Sequence, residues 1–330
     1  MLLGTYHQAA LLYTTSQGER RIRVHNVAIP VESVIQKVFD SVDIDVLCNI
    51  IAKQALEVAL KSGLDAARGR IQQVCMDIVR ASCGGGYASS AYAPPSQQQQ
   101  QGMTMPESVQ LLPLYCMALQ KSGAFRGGTE IRADERAFLL SALANMPVEH
   151  SRCYTYPRMF SLHDMSEDAG LPVENGDGGD EGEGHQRTAG KQSILLPGVV
   201  NLSAERMTSE GVFLLENGIS LFVWVGRVAN PAVVSALFGV PSLEGLDPST
   251  LTVQTEGNEL CGRVNNIIGA LREERMTYLQ VIVVGEGDGQ NEHRFFWHLV
   301  EDRASFPGGS MNYAEFMQHI SRQTYMGVVQ

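Results

Sequence analysis

The residues that could do chemistry in this 330-residue chain are eight histidines, six cysteines and 36 acidic side chains. The cysteines are Cys48, Cys75, Cys83, Cys116, Cys153 and Cys261. No two stand in a C-x-x-C pair and no histidines cluster with them, so a zinc site is unsupported. A disulfide framework suits a short secreted chain, so reduced, mostly buried thiols are expected instead. His293 and His298 are five apart without a companion Cys or Asp, and His25, His163 and His185 are scattered. No nucleophile elbow, Walker loop or dinucleotide fingerprint occurs. Gly-Glu-Gly-Asp-Gly at 285–289 follows a strand-like run, but its spacing is that of a turn, not a phosphate loop. The acidic run around Asp177–Glu183 lacks the alternation of an EF-hand. Nothing pairs a nucleophile with a base, so the chain reads as a binding protein and not an enzyme.

Two features carry binding chemistry. In the run from Arg20 to Asn26, strand alternation puts Arg21, Arg23 and His25 on one face and Ile22 and Val24 on the other. Such a basic stripe meets acidic headgroups or an acidic peptide signal, or it is a solvated strand face. Trp297 lies in the aromatic run Phe295-Phe296-Trp297-His298, where it either anchors a peptide or is buried against a sheet. Trp224, inside Phe222-Val223-Trp224-Val225, reads as strand core.

The elements that must position these groups follow from periodicity. Two alternating runs within 9–29 flank Ser16-Gln17-Gly18, a hairpin signal. A lone hairpin is marginally stable, so it reads as the end of a larger sheet, with the chain a fragment or its start misplaced. From Pro30 the period becomes helical. Ser33 is expected to cap a short helix, and Asp43 a second with Val46, Leu47, Ile50, Ile51 and Leu56 inward, stopped at Ser62-Gly63. A third covers about 64–81 with Ile71, Val74, Cys75, Ile78 and Val79 on a stripe. Pro113 is expected to kink a further helix, and 133–145 forms another. Residues 82–105, rich in Gln, Pro and Ser, read as a disordered insertion, and 166–193 as an acidic Gly-rich linker. Beyond it the pattern is mixed α/β. Two apolar runs flank Asn217-Gly218, the pair that favours a type I′ hairpin turn. Helices are expected over about 256–275, 295–303 and 311–326, with a buried strand at 279–287.

Hydrophobic residues make up 44% and charged residues 18%, an ordinary globular balance. A formal net charge of −11 argues against general nucleic-acid binding, which needs clustered Lys and Arg. No apolar run is long enough to span a bilayer, and no basic leader precedes the first apolar residues.

Several motifs resemble one family. Residues 10–26 (ALLYTTSQGERRIRVHN), 154–164 (YTYPRMFSLHD), 211–226 (GVFLLENGISLFVWVG), 299–303 (LVEDR) and 312–320 (NYAEFMQHI) stand in the order and spacing of the cargo-adaptor subunit of the inner COPII coat, the Sec-twenty-four family. The wording resembles the vertebrate C and D branch more than A and B. The resemblance implies an α+β multidomain chain. Its parts would be residual β-sandwich strands at 1–30, an all-α helical domain at 31–165, the linker, a gelsolin-like domain with a mixed sheet at 194–307, and a C-terminal helix at 308–330 packing on the helical domain. It implies a structural and cargo-adaptor role in transport from the endoplasmic reticulum to the Golgi, cytoplasmic and peripheral on the membrane. The implied partners are a Sec-twenty-three family subunit, through a trunk domain missing from this chain, and cargo and SNARE sorting signals. No cofactor is implied, because the family's zinc ribbon is also missing. Arg20, Arg21, Arg23 and His25 become candidate membrane or cargo contacts. The alternative is a gelsolin- or villin-like actin binder, which would carry consecutive repeats.

Overall fold

The computed structural model describes residues 4–87, 105–173, 193–255, 257–304 and 309–326. The central part of the Gln-rich insertion and most of the acidic linker lie outside them. The chain divides into two units. The first comprises residues up to 43 and 79–110, and the second 44–78 and everything from 111 onwards.

In the first unit, β1 (Gly4–Thr14) and β2 (Arg20–Pro30) form an antiparallel hairpin. β1 begins earlier than the alternating run suggests. Gly18, at φ 84°, lets the turn close, with its amide donating to Thr15 O at 2.9 Å. Helix α1 (Ile35–Asp40) follows. Ser33 is not its cap: the N-cap is Val34, and Glu32 Oε1 instead accepts from the amides of Ser33 and Val34 at 2.9 and 3.0 Å. Phe39 is buried, and its carbonyl accepts from Ser108 Oγ at 2.5 Å beside a 3-10 turn at Glu107–Val109.

The second unit opens with α2 (Ile44–Ser62), which ends at Gly63 in the left-handed region, as expected. Its buried face is Cys48, Asn49, Ile51, Ala52 and Ala55, whereas Val46 and Ile50 are exposed. The small side chains let neighbouring helices approach, so they outcompete the larger apolar ones for the interior. Helix α3 (Leu64–Tyr87) buries Ile71, Cys75 and Val79 and runs past Ala81 into the segment expected to be disordered. Helix α4 (Leu112–Lys121) holds Pro113 in its first turn instead of being kinked by it. In a first helical turn the missing proline N–H costs nothing. Then come α5 (Ala133–Asn145) and α6 (Val148–Thr155). Asn49 Nδ2 donates to Ser151 Oγ at 2.7 Å, tying α2 to α6. All six cysteines are buried free thiols. The Cys75 thiol, hydrogen-bonded to Cys116 in this core, raises Cys116 well above the usual thiol range.

A five-stranded sheet, in the order β4-β3-β5-β6-β7, stands beside these helices. Its strands are β3 (Arg158–Ser161), β4 (Val199–Val200), β5 (Val212–Glu216), β6 (Ser220–Val225) and β7 (Gln280–Gly285). Only β6 and β7 pair in parallel. Between them run α7 (Pro231–Phe238), capped by Asn230, and α8 (Glu259–Glu273), capped by Asn258. β3 is a strand that local patterning does not reveal, since four residues are too few to show a period. One sheet face carries Leu214, Val223 and Val283 against Val264, Ile267 and Ile268 of α8. The other carries Phe213, Phe222 and Trp224 against Phe295 and against Ala118 of α4, so both faces are covered. Trp224 is core, and its Nε1 donates to Glu292 Oε1 at 3.2 Å.

The β5–β6 turn centres on Gly218-Ile219, one residue later than the Asn-Gly pair suggests, since Glu216 pairs with Leu221 and the Asn217 amide donates to Ser220 O. Asn217 Oδ1 accepts from the amides of Ile219 and Ser220, an Asx turn that braces the hairpin from its first residue. Gly218 has φ 76°, and a Cβ there would stand 3.1 Å from His150 O, so glycine is needed on both counts. The first residues of the expected linker are packed: Val173 N donates to Ser193 O at 2.8 Å, and Arg263 Nε donates to Ala169 O at 2.7 Å.

A helix over 295–303 does not form. Helix α9 spans Gly289–Phe296, and the chain then turns. Lys121 Nζ donates to the carbonyls of Val300, Asp302 and Met311 at 2.9, 2.6 and 2.7 Å, drawing two carbonyls of this stretch into another contact. Helix α10 (Tyr313–Met326) follows, burying Phe316 and Ile320.

Glu216 is fully buried at the end of β5. Arg158 of β3 donates to its Oε2 through Nε at 2.8 Å and Nη2 at 2.6 Å, and Arg275 Nε donates to Oε1 at 2.6 Å. Removing one member of such a buried cluster strands charge in a low dielectric, at a cost of about 3–5 kcal/mol. Glu216→Ala is therefore expected to lower the unfolding free energy by about that amount in urea titrations, whereas Glu57→Ala, at an exposed ion pair, is expected to leave the urea midpoint nearly unchanged.

Candidate functional site

The hairpin carries the first candidate. Arg21, Arg23 and His25 share one face, opposite Tyr13, Leu11 and Ala9. All three are exposed. Arg20 points to the other face, with Ile22 and Val24, so the four residues form a stripe of three and an outlier. Arg21 is ion-paired with Glu19, and the Arg23 guanidinium lies 6.0 Å from the Tyr13 ring centre. Both faces are exposed in the described residues, Ile22 at 70% on one and Leu11 at 60% on the other.

The second candidate, in the other unit, is a cleft of about 270 Å³ beside Trp297. Trp297 is the C-cap of α9, is half-buried and lines this cleft. His293, one turn earlier, meets its ring edge-on with centres 5.8 Å apart. The Arg126 guanidinium lies 5.4 Å from the ring centre, within cation–π range. Arg126 Nε donates to Glu130 Oε2 at 2.7 Å. The Trp297 Nε1–H is buried and has no hydrogen-bond acceptor. An orphaned donor of this kind costs about 1–3 kcal/mol. Phe296, Leu299, Asp302 and Arg303 complete the wall.

Two groups, Lys121 of the lining and His298 next to Trp297 in sequence, have shifted titration. Burial pushes Lys121 down to about 8, against the opposing pull of Asp302. Burial, reinforced by the Arg126 charge, pushes His298 down to about 4. Its Nε2 lies 3.1 Å from Asn217 Nδ2, which fits a neutral ring accepting from that amide. Sequence reasoning found Trp297 and missed Arg126, Lys121 and Arg303. No local signal marks them, because only tertiary packing brings α4 and its following turn to the end of α9.

The described residues hold no group of three or more His, Cys, Asp or Glu arranged to bind a metal, and none of their helices is long and apolar enough to cross a membrane. The helical region and the mixed five-stranded sheet each match a family model. Residues 43–153 match the Sec23/Sec24 helical domain and residues 193–262 the gelsolin repeat. Protein transport protein Sec24A of Mus musculus is 31% identical over 317 residues, covering 96% of this chain and 26% of that protein. Human Sec24C is 31% identical over 320 residues, covering 97% and 26%. Schizosaccharomyces pombe sec24 is 32% identical over 324 residues, covering 96% and 32%. The crystal structure of the human COPII-coat protein Sec24c superposes with a TM-score of 0.78 at 27% identity, covering 98% of this chain and 38% of that one. The chain belongs to the Sec24 family and corresponds to its C-terminal helical and gelsolin region, spanning about a quarter to a third of the length of these relatives. Sec24A and Sec24C match equally well, so identity alone selects no branch.

The His298 shift fixes the sign of a pH effect. Its folded value lies below its unfolded one of about 6.5, so between the two the unfolded chain holds the extra proton. Stability from this group is full above about pH 6.5 and falls as pH drops towards about 4, by up to about 3 kcal/mol. Denaturant midpoints measured across that window are expected to fall less steeply in His298→Gln, which keeps an acceptor for Asn217.

Proposed function

We propose that this chain is the helical and gelsolin-like portion of a COPII coat subunit that carries cargo from the endoplasmic reticulum towards the Golgi, acting by binding without turnover. The observation that carries this reading is continuous similarity to Sec24 proteins over 96% of the chain, together with the shared fold. The reading includes the division into a β-sandwich end (1–30), helical domain (31–165), linker (166–193), gelsolin-like domain (194–307) and C-terminal helix (308–330). The partners it requires are a Sec23-family subunit, engaged outside these residues, and cargo or SNARE signals. Its location is peripheral on the cytoplasmic face of the endoplasmic reticulum and on coated vesicles. No cofactor is needed from these residues. Placement near the C and D branch is supported by the likeness to the human Sec24c structure, while the Sec24A match weighs against it.

The test is immunoprecipitation from source cells with an antibody to residues 200–330. Recovery of a Sec23-family subunit with the antigen is expected. A native antigen that brings down no coat component would sink the reading. The gelsolin-repeat match also allows an actin-binding role, and calcium-dependent co-sedimentation with F-actin would favour that instead.

Arg21, Arg23 and His25 are assigned to acidic membrane or cargo contact, with Arg20 beside them on the opposite face. Each basic residue near an anionic bilayer contributes about 1 kcal/mol. Arg21→Glu with Arg23→Glu in the full-length subunit is expected to weaken binding to vesicles containing phosphatidylserine by at least about tenfold at low salt. Unchanged vesicle binding and unchanged cargo packaging would remove these residues from the function.

A further inference from the structure

Strand β7 is one edge of the five-stranded sheet. Its parallel pairing with β6 uses alternate residues, and Glu286 N donating to Val225 O at 2.9 Å fixes which ones. The amides and carbonyls of Ile282 and Val284 therefore face β6, and those of Val281 and Val283 face outward. Both ends of that outer edge are closed. Leu279 O accepts from Arg272 Nε at 3.0 Å, and Gly285 O accepts from the Asp288 amide at 3.0 Å. Between them, no hydrogen bond from the described residues reaches the outward groups of Val281 and Val283. Unpaired groups of this kind are a template for another strand.

The loop between α7 and α8 lies against this edge. Its 3-10 turn at Pro248–Thr250 packs beside β7, and a Cβ at Gly285 would stand 3.5 Å from Pro248 Cγ and 3.8 Å from Leu243 Cδ2. Proline has no N–H to offer the strand, so the turn shields the edge without pairing with it. Asp247 Oδ1 pins the turn by accepting from Ser249 N at 3.0 Å and from Ser249 Oγ at 2.7 Å. Leu251 and Val253 anchor the residues after it on the core.

We propose that residues 240–253 form a strap that keeps β7 from pairing with a second copy of this chain, and that release of the strap turns the edge into a self-association surface. The occupant follows from symmetry and charge. An antiparallel pair of β7 edges centred on Ile282 sets Val281 of one copy opposite Val283 of the other, so each outward amide meets an outward carbonyl. Residues 276–285 contain no charged side chain, in a chain whose formal net charge is −11, so the pairing strands bring no like charges together. Val281, Ile282, Val283 and Val284 are β-branched strand formers, and the exposed Met276 and Tyr278 lengthen the apolar edge. The inference rests on the sheet edge and not on the coat reading, so the two stand or fall separately.

The test is sedimentation equilibrium of the whole chain. Pro248→Gly with Leu243→Ser, which removes the strap's contacts at Gly285, is expected to strengthen self-association at least about fivefold over the wild type. Adding Val281→Pro is expected to return it to the wild-type level, because proline deletes an outward amide and leaves the bonds to β6 in place. The chain contains two tryptophans, and the Trp224 indole N–H resonance, told from that of Trp297 by Trp297→Phe, reports an intact sheet in each variant. Where that resonance moves, Asp247→Ala decides instead. Its side chain is exposed, and its loss is expected to strengthen association about twofold with the resonance unchanged. Self-association that freeing the strap leaves at the wild-type level overturns the proposal. So does added association that persists in the presence of Val281→Pro.

Discussion

A carboxylate with no exposed surface sits where the sheet meets the end of α8, and much of the second unit is organised by its needs. Glu216 closes β5, receives Arg158 from the paired strand β3, and receives Arg275 from just beyond α8. Arg158 also reaches Glu274 at 2.7 Å. Two cations and two anions thus fix the register of β3, the end of β5 and the exit of α8 in one place. Burial of any of these charges alone would be prohibitive. The cluster is satisfied only when strand, sheet and helix arrive together, which makes it a device for uniqueness of fold more than for net stability. The neighbouring Cys153, whose Sγ donates to Glu216 O at 3.4 Å, links α6 to the same point, and burial pushes its thiol up to about 12.

Lys121 plays the corresponding part on the other side of the sheet. As the last residue of α4 it suits the negative end of the helix dipole, and its three carbonyl acceptors lie at 300, 302 and 311. Those acceptors solvate the ammonium that burial would otherwise discharge. They also explain why residues 297–303 turn: their carboxylates serve as well, with Glu301 Oε1 accepting from Tyr156 Oη at 2.6 Å and Asp302 accepting from Ser203 Oγ at 2.7 Å. The turn leaves Trp297 at a cleft edge instead of continuing α9 over it.

The long periodic elements were legible in the sequence: α8 with its stripe, the hairpin at Gly18, and the end of α2 at Gly63. What misled was local pattern that tertiary chemistry overrode. Val46 and Ile50 look like core, but Cys48, Ala52 and Ala55 allow closer helix contact and take the interior. The aromatic run at 295–298 reads as one helix, yet its continuation is captured by Lys121 from a distant helix. β3 is too short to announce itself and is defined by Arg158 meeting Glu216. Of the candidate sites, Arg21, Arg23 and His25 were placed on a common face by alternation alone. The cleft was half visible, since Trp297 stands out but its cationic partners come from elsewhere in the fold.

The two candidate features differ in physical kind. On the hairpin the cations are exposed, Arg21 is already paired with Glu19, and salt screens each within about a Debye length. Such a stripe gives attraction that is additive, weak per residue and strongly dependent on ionic strength, which suits loading onto a charged surface. In the cleft Arg126 is buried, stacked on an aromatic ring and bound to Glu130, so its field is less screened and its direction is set. A buried, paired cation of this kind is fixed in position, whereas an exposed one responds mainly to ionic strength.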